Sequence, residues 1–241
     1  MKRKAVVLLS GGLDSAVTLF WAVARGYECH CLTFDYGQRH NREIESAKRI
    51  ANAAKAGIEV VKLDFPWKGS SLTDRSIDLP SGRTAKDIQS GGIPSTYVPA
   101  RNTIFLSIAA SFAEAICADS ILIGAHFEDS SGYPDCRKSY LEAFRGVIES
   151  GTIRGSSGRL LLEFPLIEKS KSEIIMLGRS VGAPFALTWS CYKGGELPCG
   201  SCDSCVLRLK GFREAGMEDP LLNPEDLFAR NKRGQTPFEG V

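Results

Sequence analysis

Apolar residues fall in short blocks along the first half of the chain, and each block is followed by a stretch in which they recur with helical spacing. The first block, Ala5 to Leu9, is unbroken and five residues long, and the pattern from Ala16 to Arg25 that follows it is helical. Continued along the chain, this pattern predicts strands over 5–10, 28–34, 59–64 and 120–124, and helices over 14–25, 40–56 and 102–117. Alternation of this kind implies right-handed strand–helix–strand units. The expected fold class is therefore α/β, a doubly wound, mainly parallel sheet of Rossmann-like type with helices on both faces. In such sheets ligands bind beyond the carboxyl ends of the strands. Residues 69–99, rich in Gly, Ser and Pro, break the alternation and read as a long loop or flap. Beyond about residue 125 strand-like runs thin out. The expected organisation is an α/β core over 1–125 continuing into a smaller helical and loop-rich part over 126–241, together one continuous domain, with no internal repeat.

The first predicted strand runs into Ser10, Gly11, Gly12, Leu13, Asp14 and Ser15. Two glycines and two hydroxyls thus arrive at a helix N-terminus, where free backbone N–H groups and the helix dipole attract anions. Glycine lets a phosphate approach the backbone closely. The residues read as a nucleotide phosphate site, and since no Gly-Lys-Ser/Thr follows the glycines, it is not a Walker loop. Arg101 opens a predicted helix just after Pro99, so its guanidinium is placed to reach the strand ends and meet phosphate or carboxylate. Asn102 is placed to cap that helix or to bind nucleotide. Ser170 and Glu173 have the form of a capping box, which sends Lys171 from a helix start toward the anion site.

Composition narrows the class only slightly. The 241 residues carry a net charge of +2, with 43% hydrophobic and 24% charged residues, as in an ordinary globular enzyme. A binder of nucleic acid would show a stronger basic bias; the tight basic clusters, Lys2 to Lys4 and Arg230 to Arg233, lie near the termini and read as solvated. The long apolar segment Ile104 to Ala118 is interrupted by Ser107, Ser111 and Glu114, which reads as a packed helix and not a membrane span. With no secretory signal, a cytoplasmic setting is expected.

Cysteine usage adds a second signal. Cys191, Cys199, Cys202 and Cys205 fall within fifteen residues, the last three at C-x-x-C-x-x-C spacing, with Gly194, Gly195, Pro198 and Gly200 supplying turns. Four thiols at this spacing suit one tetrahedral ion. Zinc in a closed, structural site is expected, and an iron–sulfur cluster is the chemical competitor. Cys29, Cys31, Cys117 and Cys136 show no such clustering.

Five segments then carry a resemblance: residues 10–15, of SGGxDS form; Phe34 to His40; Tyr97 to Asn102; Ser131 to Arg137; and the four cysteines. The first resembles the PP-loop of the N-type ATP pyrophosphatases, which have an adenine nucleotide alpha hydrolase-like fold. All five, in this order, are similar to the 7-cyano-7-deazaguanine synthase (QueC) family. The resemblance implies conversion of 7-carboxy-7-deazaguanine and ammonia, with ATP and Mg²⁺, to the nitrile precursor of queuosine and archaeosine. It implies nucleotide contacts from Leu9, Ser10, Gly11, Gly12, Leu13, Asp14, Ser15, Arg101 and Asn102, with Asp14, Arg101 and Lys171 serving the chemistry. Asp14 is expected to support Mg²⁺ or the loop. Phe34, Tyr36 and Tyr133 offer stacking faces, Asp135 an acceptor for the guanine-like edge, and Gln38, Arg39 and His40 begin the second helix nearby. His40 and His126 are open as proton carriers, and no general base is assigned. A homodimer is expected, with small-molecule substrates and neither nucleic acid nor membrane as partner.

One segment departs from many bacterial members. Gly124 to Asp129 reads GAHFED, which bears on the acceptor more than on ATP. A protein amine in place of ammonia, as in QueC-like anti-phage enzymes, is the alternative inside the fold; a tRNA-thiolating PP-loop enzyme and a non-catalytic zinc adaptor are the alternatives outside it.

Overall fold

The computed structural model describes residues 2–126 and 132–221. Five strands, β1 (Lys4–Leu8), β2 (Glu28–Asp35), β3 (Gly57–Lys62), β4 (Ser120–Leu122) and β5 (Leu161–Glu163), form one parallel sheet in the order β3-β2-β1-β4-β5. Helices α1 (Leu13–Ala24) and α2 (Arg42–Ala53) connect the first three strands, and α4 (Arg101–Ala115) leads into β4. After β4 come α5 (Lys138–Gly151), the short α6 (Ile153–Ser156), β5, α7 (Lys171–Ser180) and α8 (Asp203–Glu214). All seven predicted elements are present, with ends displaced by at most three residues.

Alternate side chains of the strands feed two different cores, as the two-residue strand period requires. Val6, Leu8, Leu32, Phe34 and Ile121 pack with Leu106 of α4 and Leu141 and Ile148 of α5. Ala5, Val7, Cys31 and Leu122 face the other way, onto Leu19 of α1 and Ile50 of α2. Each fully buried Leu or Ile contributes on the order of 2 kcal/mol. A third cluster, with Leu13, Val17, Ile174, Ile175 and Phe212, binds α7 and α8 to α1. Residues 104–115 lie in the packed helix α4, which stops three residues short of the end of the 104–118 apolar segment, and among the described residues no helix is long and apolar enough to cross a membrane.

Two elements differ from expectation. The region after residue 125 contributes β5, whose three residues, Leu-Leu-Glu, are too few to show a period, and Leu161 is half exposed. The 69–99 segment is not a plain loop: Thr84 and Asp87 form a capping box that starts the six-residue helix α3 (Ala85–Ser90). The Arg39 guanidinium holds this segment by donating to the carbonyls of Ser71, Asp74 and Ile77. Gly82 N–H donates to Ser201 O at 3.0 Å, and Arg83 pairs with both carboxylate oxygens of Asp203 at the start of α8. Strand order reverses between β1 and β4, so the crevice at their carboxyl ends is where a ligand is expected.

Candidate active site

The loop between β1 and α1 is built around two glycines with different duties. Gly11 has φ +86°, and a Cβ there would lie 2.1 Å from the carbonyl oxygen of Glu43, so α2 packs directly on the loop backbone. Gly12, the N-cap of α1, has φ −78° and ψ 168°, and a Cβ there would meet nothing nearer than Ser10 Oγ at 3.3 Å. Trp189 N–H donates to Gly11 O at 2.8 Å, and Ser15 Oγ donates to Gly12 O at 3.0 Å. No side chain caps α1. Its first-turn N–H groups are therefore left for an anion, as the sequence reading expects of this loop.

Beside this N-terminus lies a cluster drawn from three elements. Lys171, at the start of α7, donates to Asp14 Oδ1 and Oδ2 at 2.8 and 2.9 Å, and its Nζ is 2.9 Å from His126 Nε2. The Ser170–Glu173 capping box fixes the direction of α7, as its spacing predicts. Burial by itself would raise the Asp14 carboxyl, but Lys171, His126 and the more distant Arg208 outweigh it and hold it below the usual range. Both Asp14 oxygens are taken up by the lysine. Asp14 thus orients Lys171 beside the phosphate loop. The lysine stem itself runs over Gly211 of α8, where a Cβ would fall 2.2 Å from Lys171 Cγ.

A cavity of about 310 Å³ opens from the phosphate loop, bordered by Ser10, Gly12, Asp14, Ser15 and Lys171 at one end and by Phe34, Tyr36, Arg101 and Tyr133 along its wall. Ala100, at φ 54°, turns the chain into α4 and aims Arg101 at the cavity, where its Nη1 donates to Tyr36 Oη at 3.2 Å. Burial opposes the guanidinium charge, yet Tyr36, Cys136 and Tyr133 around it favour that charge more and hold it above the ordinary arginine range. Phe34 stacks on Phe105 with ring centroids 3.8 Å apart, so one of its faces is already covered. Gln38 borders the cavity, but its carboxamide is engaged with Phe34 O and Tyr36 N and shapes the turn after β2. Tyr133 Oη lies 2.7 Å from Thr96 Oγ1, tying the cavity wall to the 69–99 segment.

Three sequence-stated roles change. Asp135 is buried and accepts the Asn102 N–H at 2.9 Å, serving the first turn of α4 and not the cavity. Asn102 is not the helix cap, which is Ala100; its side chain donates to Asp135 O and Cys136 Sγ, and the residue borders the cavity, as the other expected role, a nucleotide contact, requires. His40 is no proton carrier: its Nε2 is 3.0 Å from Cys191 O, and its ring packs where a Gly194 Cβ would be. Residues that sequence reasoning missed are Glu43, Phe105, Trp189 and Arg208, all on the cavity lining. Phe105 and Glu43 sit one helical turn or less from recognised motifs, but nothing local marks Trp189 or Arg208. Phe127, Glu128, Asp129, Ser131 and the Arg230 to Arg233 cluster lie outside the described residues.

The four clustered cysteines converge, with their Sγ atoms all within 4.8 Å of one another. A tetrahedral zinc with Zn–S of about 2.3 Å needs sulfurs about 3.8 Å apart, so the arrangement fits that ion with small adjustment. Backbone N–H groups of Ser201 and Cys202 donate to Cys199 Sγ at 3.4 and 3.3 Å, and that of Cys199 to Cys191 Sγ at 3.3 Å. Contacts with the other three sulfurs hold the Cys199 thiol below its usual range, while the same contacts push Cys205 up. Four thiolates coexist only around a compensating cation. The knuckle also carries Asp203, and through it the 69–99 segment.

A family model, "Queuosine biosynthesis protein QueC", matches residues 4–216, which takes in the phosphate loop, the Lys171 cluster and all four cysteines. The chain belongs to the QueC family. Curated QueC-family relatives named 7-cyano-7-deazaguanine synthase include one from Trichodesmium erythraeum, 53% identical over 223 residues that span 91% of this chain and 100% of the relative. Another, from Thermoplasma acidophilum, is 50% identical over 222 residues, 91% of this chain and 92% of its own length. Among solved structures, NMN synthetase from Francisella tularensis aligns with TM-score 0.47 and 12% identity over 100% of this chain and 89% of its own.

Proposed function

We propose that this QueC-family chain is an ATP-dependent C–N ligase that converts 7-carboxy-7-deazaguanine and ammonia to 7-cyano-7-deazaguanine, in queuosine and archaeosine precursor biosynthesis. The observation that carries the site assignment is the uncapped N-terminus of α1 beside the Lys171–Asp14 pair, open to a cavity whose wall bears Arg101. A carboxylate is a poor electrophile, so it must first receive a good leaving group. In this reading Ser10, Gly12, Ser15 and the α1 N–H groups hold the nucleotide phosphates, with Leu9, Gly11 and Leu13 shaping the loop. Lys171 meets the charge that develops on the phosphates and Arg101 the substrate carboxylate. Tyr36, Tyr133 and the free face of Phe34 form the wall for the deazaguanine ring.

Mg²⁺, with Asp14 as the residue that would support it or the loop, would neutralise leaving-group charge when bound. Zn²⁺ at the four cysteines supplies a structural anchor, since four protein ligands leave no open position. The products read as AMP and pyrophosphate. The family likeness supports ammonia over a protein amine as acceptor. The test is ³¹P NMR of the purified enzyme with ATP. AMP and pyrophosphate formed only when 7-carboxy-7-deazaguanine is present support the reading; ADP, or consumption indifferent to that substrate, overturns it.

A further inference from the structure

The proposed reaction sheds protons for which no acceptor has been named. Ammonia arrives largely as ammonium at neutral pH, and dehydration of an amide to a nitrile strips two further protons from nitrogen. Three carboxylates border the cavity among the described residues: Asp14, Glu43 and Asp203. Asp14 is held by Lys171 and Asp203 by Arg83. Glu43 differs, because among the described residues its carboxylate has neither an ion pair nor a hydrogen bond. It sits in the first turn of α2, and the close packing of its main chain on Gly11 fixes it against the phosphate loop. A lone carboxylate facing a site for polyphosphate and a carboxylate substrate repels both. It suits a cation that can give up a proton.

We propose that Glu43 binds the incoming ammonium and accepts protons from nitrogen in both halves of the reaction. This rests on the carboxylate activation proposed above. In the first half ammonium passes one proton to Glu43, the ammonia lone pair forms the C–N bond at the activated carboxyl carbon, the C–O bond to the nucleotide breaks, and AMP leaves with its electron pair. The adduct nitrogen loses its remaining extra proton after Glu43 has returned the first to water. In the second half the amide oxygen takes up AMP from a second ATP and pyrophosphate leaves. Glu43 then removes one N–H proton from the activated amide and returns it to water, and removes the second as the C–O bond breaks, AMP departs and the nitrile forms.

The surroundings agree with this use. Burial pushes the Glu43 carboxyl up to about 7, against the opposing charge of Arg101 on α4, with Cys191 of the cysteine loop adding to the rise. Tyr36, after β2, is the other ionisable group that senses it. A base with pKa near the working pH is the effective kind.

The experiment compares wild type with Glu43→Gln and Glu43→Asp, each first shown to retain zinc and the wild-type circular dichroism spectrum. Activation is read as pyrophosphate released in a single turnover, and acceptance as amide formed from ammonium or hydroxamate formed from hydroxylamine, which is largely neutral at pH 7. In Glu43→Gln we expect activation within about threefold of wild type and amide formation lower by about 100-fold or more. Hydroxamate formation should stay within a few fold, and the limb near pH 7 in the ammonium-dependent rate should vanish. Glu43→Asp should keep a limb at partial rate and decides the matter if Glu43→Gln does not fold. Amide formation unchanged, ammonium and hydroxylamine rates falling together, or a persisting limb would each overturn the role of Glu43. A wild type that cannot activate the deazaguanine overturns the proposed function itself, which is a separate result.

Discussion

Gly211 lies under the stem of Lys171, and substituting it tests whether the position of that lysine matters. In Gly211→Ala the new Cβ would be 2.2 Å from Lys171 Cγ, 3.0 Å from Lys171 Cβ and 3.1 Å from Ile175 Cδ1. Carbon atoms pack at about 3.5–4.0 Å, so the stem must retreat by more than about 1 Å. That retreat pulls Nζ away from contacts of 2.8, 2.9 and 2.9 Å with Asp14 and His126. Overpacking costs about 1–3 kcal/mol, and replacing a helical glycine by alanine returns about 0.8–1 kcal/mol. The net loss is at most about 2 kcal/mol, or a Tm lower by less than about 8 °C for a chain of this size. A misplacement of about 1 Å in a group that positions phosphate costs about 100-fold in rate. The assay is kcat/KM for ATP consumption beside a thermal melt, with Gly146→Ala as control, because a Cβ at Gly146 meets nothing within 4 Å. A folded Gly211→Ala enzyme with wild-type kcat/KM would refute the reasoning.

Other substitutions probe the remaining parts of the site. Gly11→Ala should destabilise the fold by about 3 kcal/mol or more, since it combines φ +86° with a 2.1 Å overlap on Glu43 O. Gly12→Val should melt within a few degrees of wild type yet consume no ATP; turnover in that variant would remove the phosphate-loop assignment. Purified protein should carry about one zinc per chain, and Cys202→Ser should lose it together with thermal stability; iron, or no metal, on elemental analysis contradicts this. Asp14 is held below its ordinary value of 3.8, so it contributes stability above that pH and loses it as pH falls through the lower folded value. In Lys171→Met burial acts with less opposition, the Asp14 carboxyl rises, and acid unfolding should begin at higher pH in melts recorded from pH 7 down to 3; an unchanged acid limb would count against the pairing.

What the sequence made legible follows from how local each cause is. The phosphate loop was readable because strand, glycines and helix start are contiguous, and the Ser170–Glu173 box gave Lys171 its direction without any knowledge of Asp14. The cysteine site was readable because three of its ligands share one turn and its spacing is chemical. β5 and α3 escaped because elements of three and six residues show no periodicity, and their formation depends on β4 and on the cysteine knuckle. The resemblance offers Asp135 to the guanine-like edge of the substrate, and only the fold shows α4 claiming its carboxylate. Glu43, Trp189 and Gly211 act through contacts with residues far away in the chain, which no pattern of neighbours reveals.

The central claim is that one phosphate cradle activates first a carboxylate and then the resulting amide. The direct measurement is a time course by mass spectrometry of the purified chain with 7-carboxy-7-deazaguanine, ATP, Mg²⁺ and an ammonium salt, with nucleotides counted in the same samples. The account predicts that the amide accumulates first and the nitrile later, with about two ATP consumed per nitrile because each activation needs its own nucleotide. An activated substrate that ammonia discharges poorly while a protein gains the mass of the deazaguanine acyl group would contradict the acceptor. Nitrile formed at one ATP, with no amide on the way, would contradict the shared cradle.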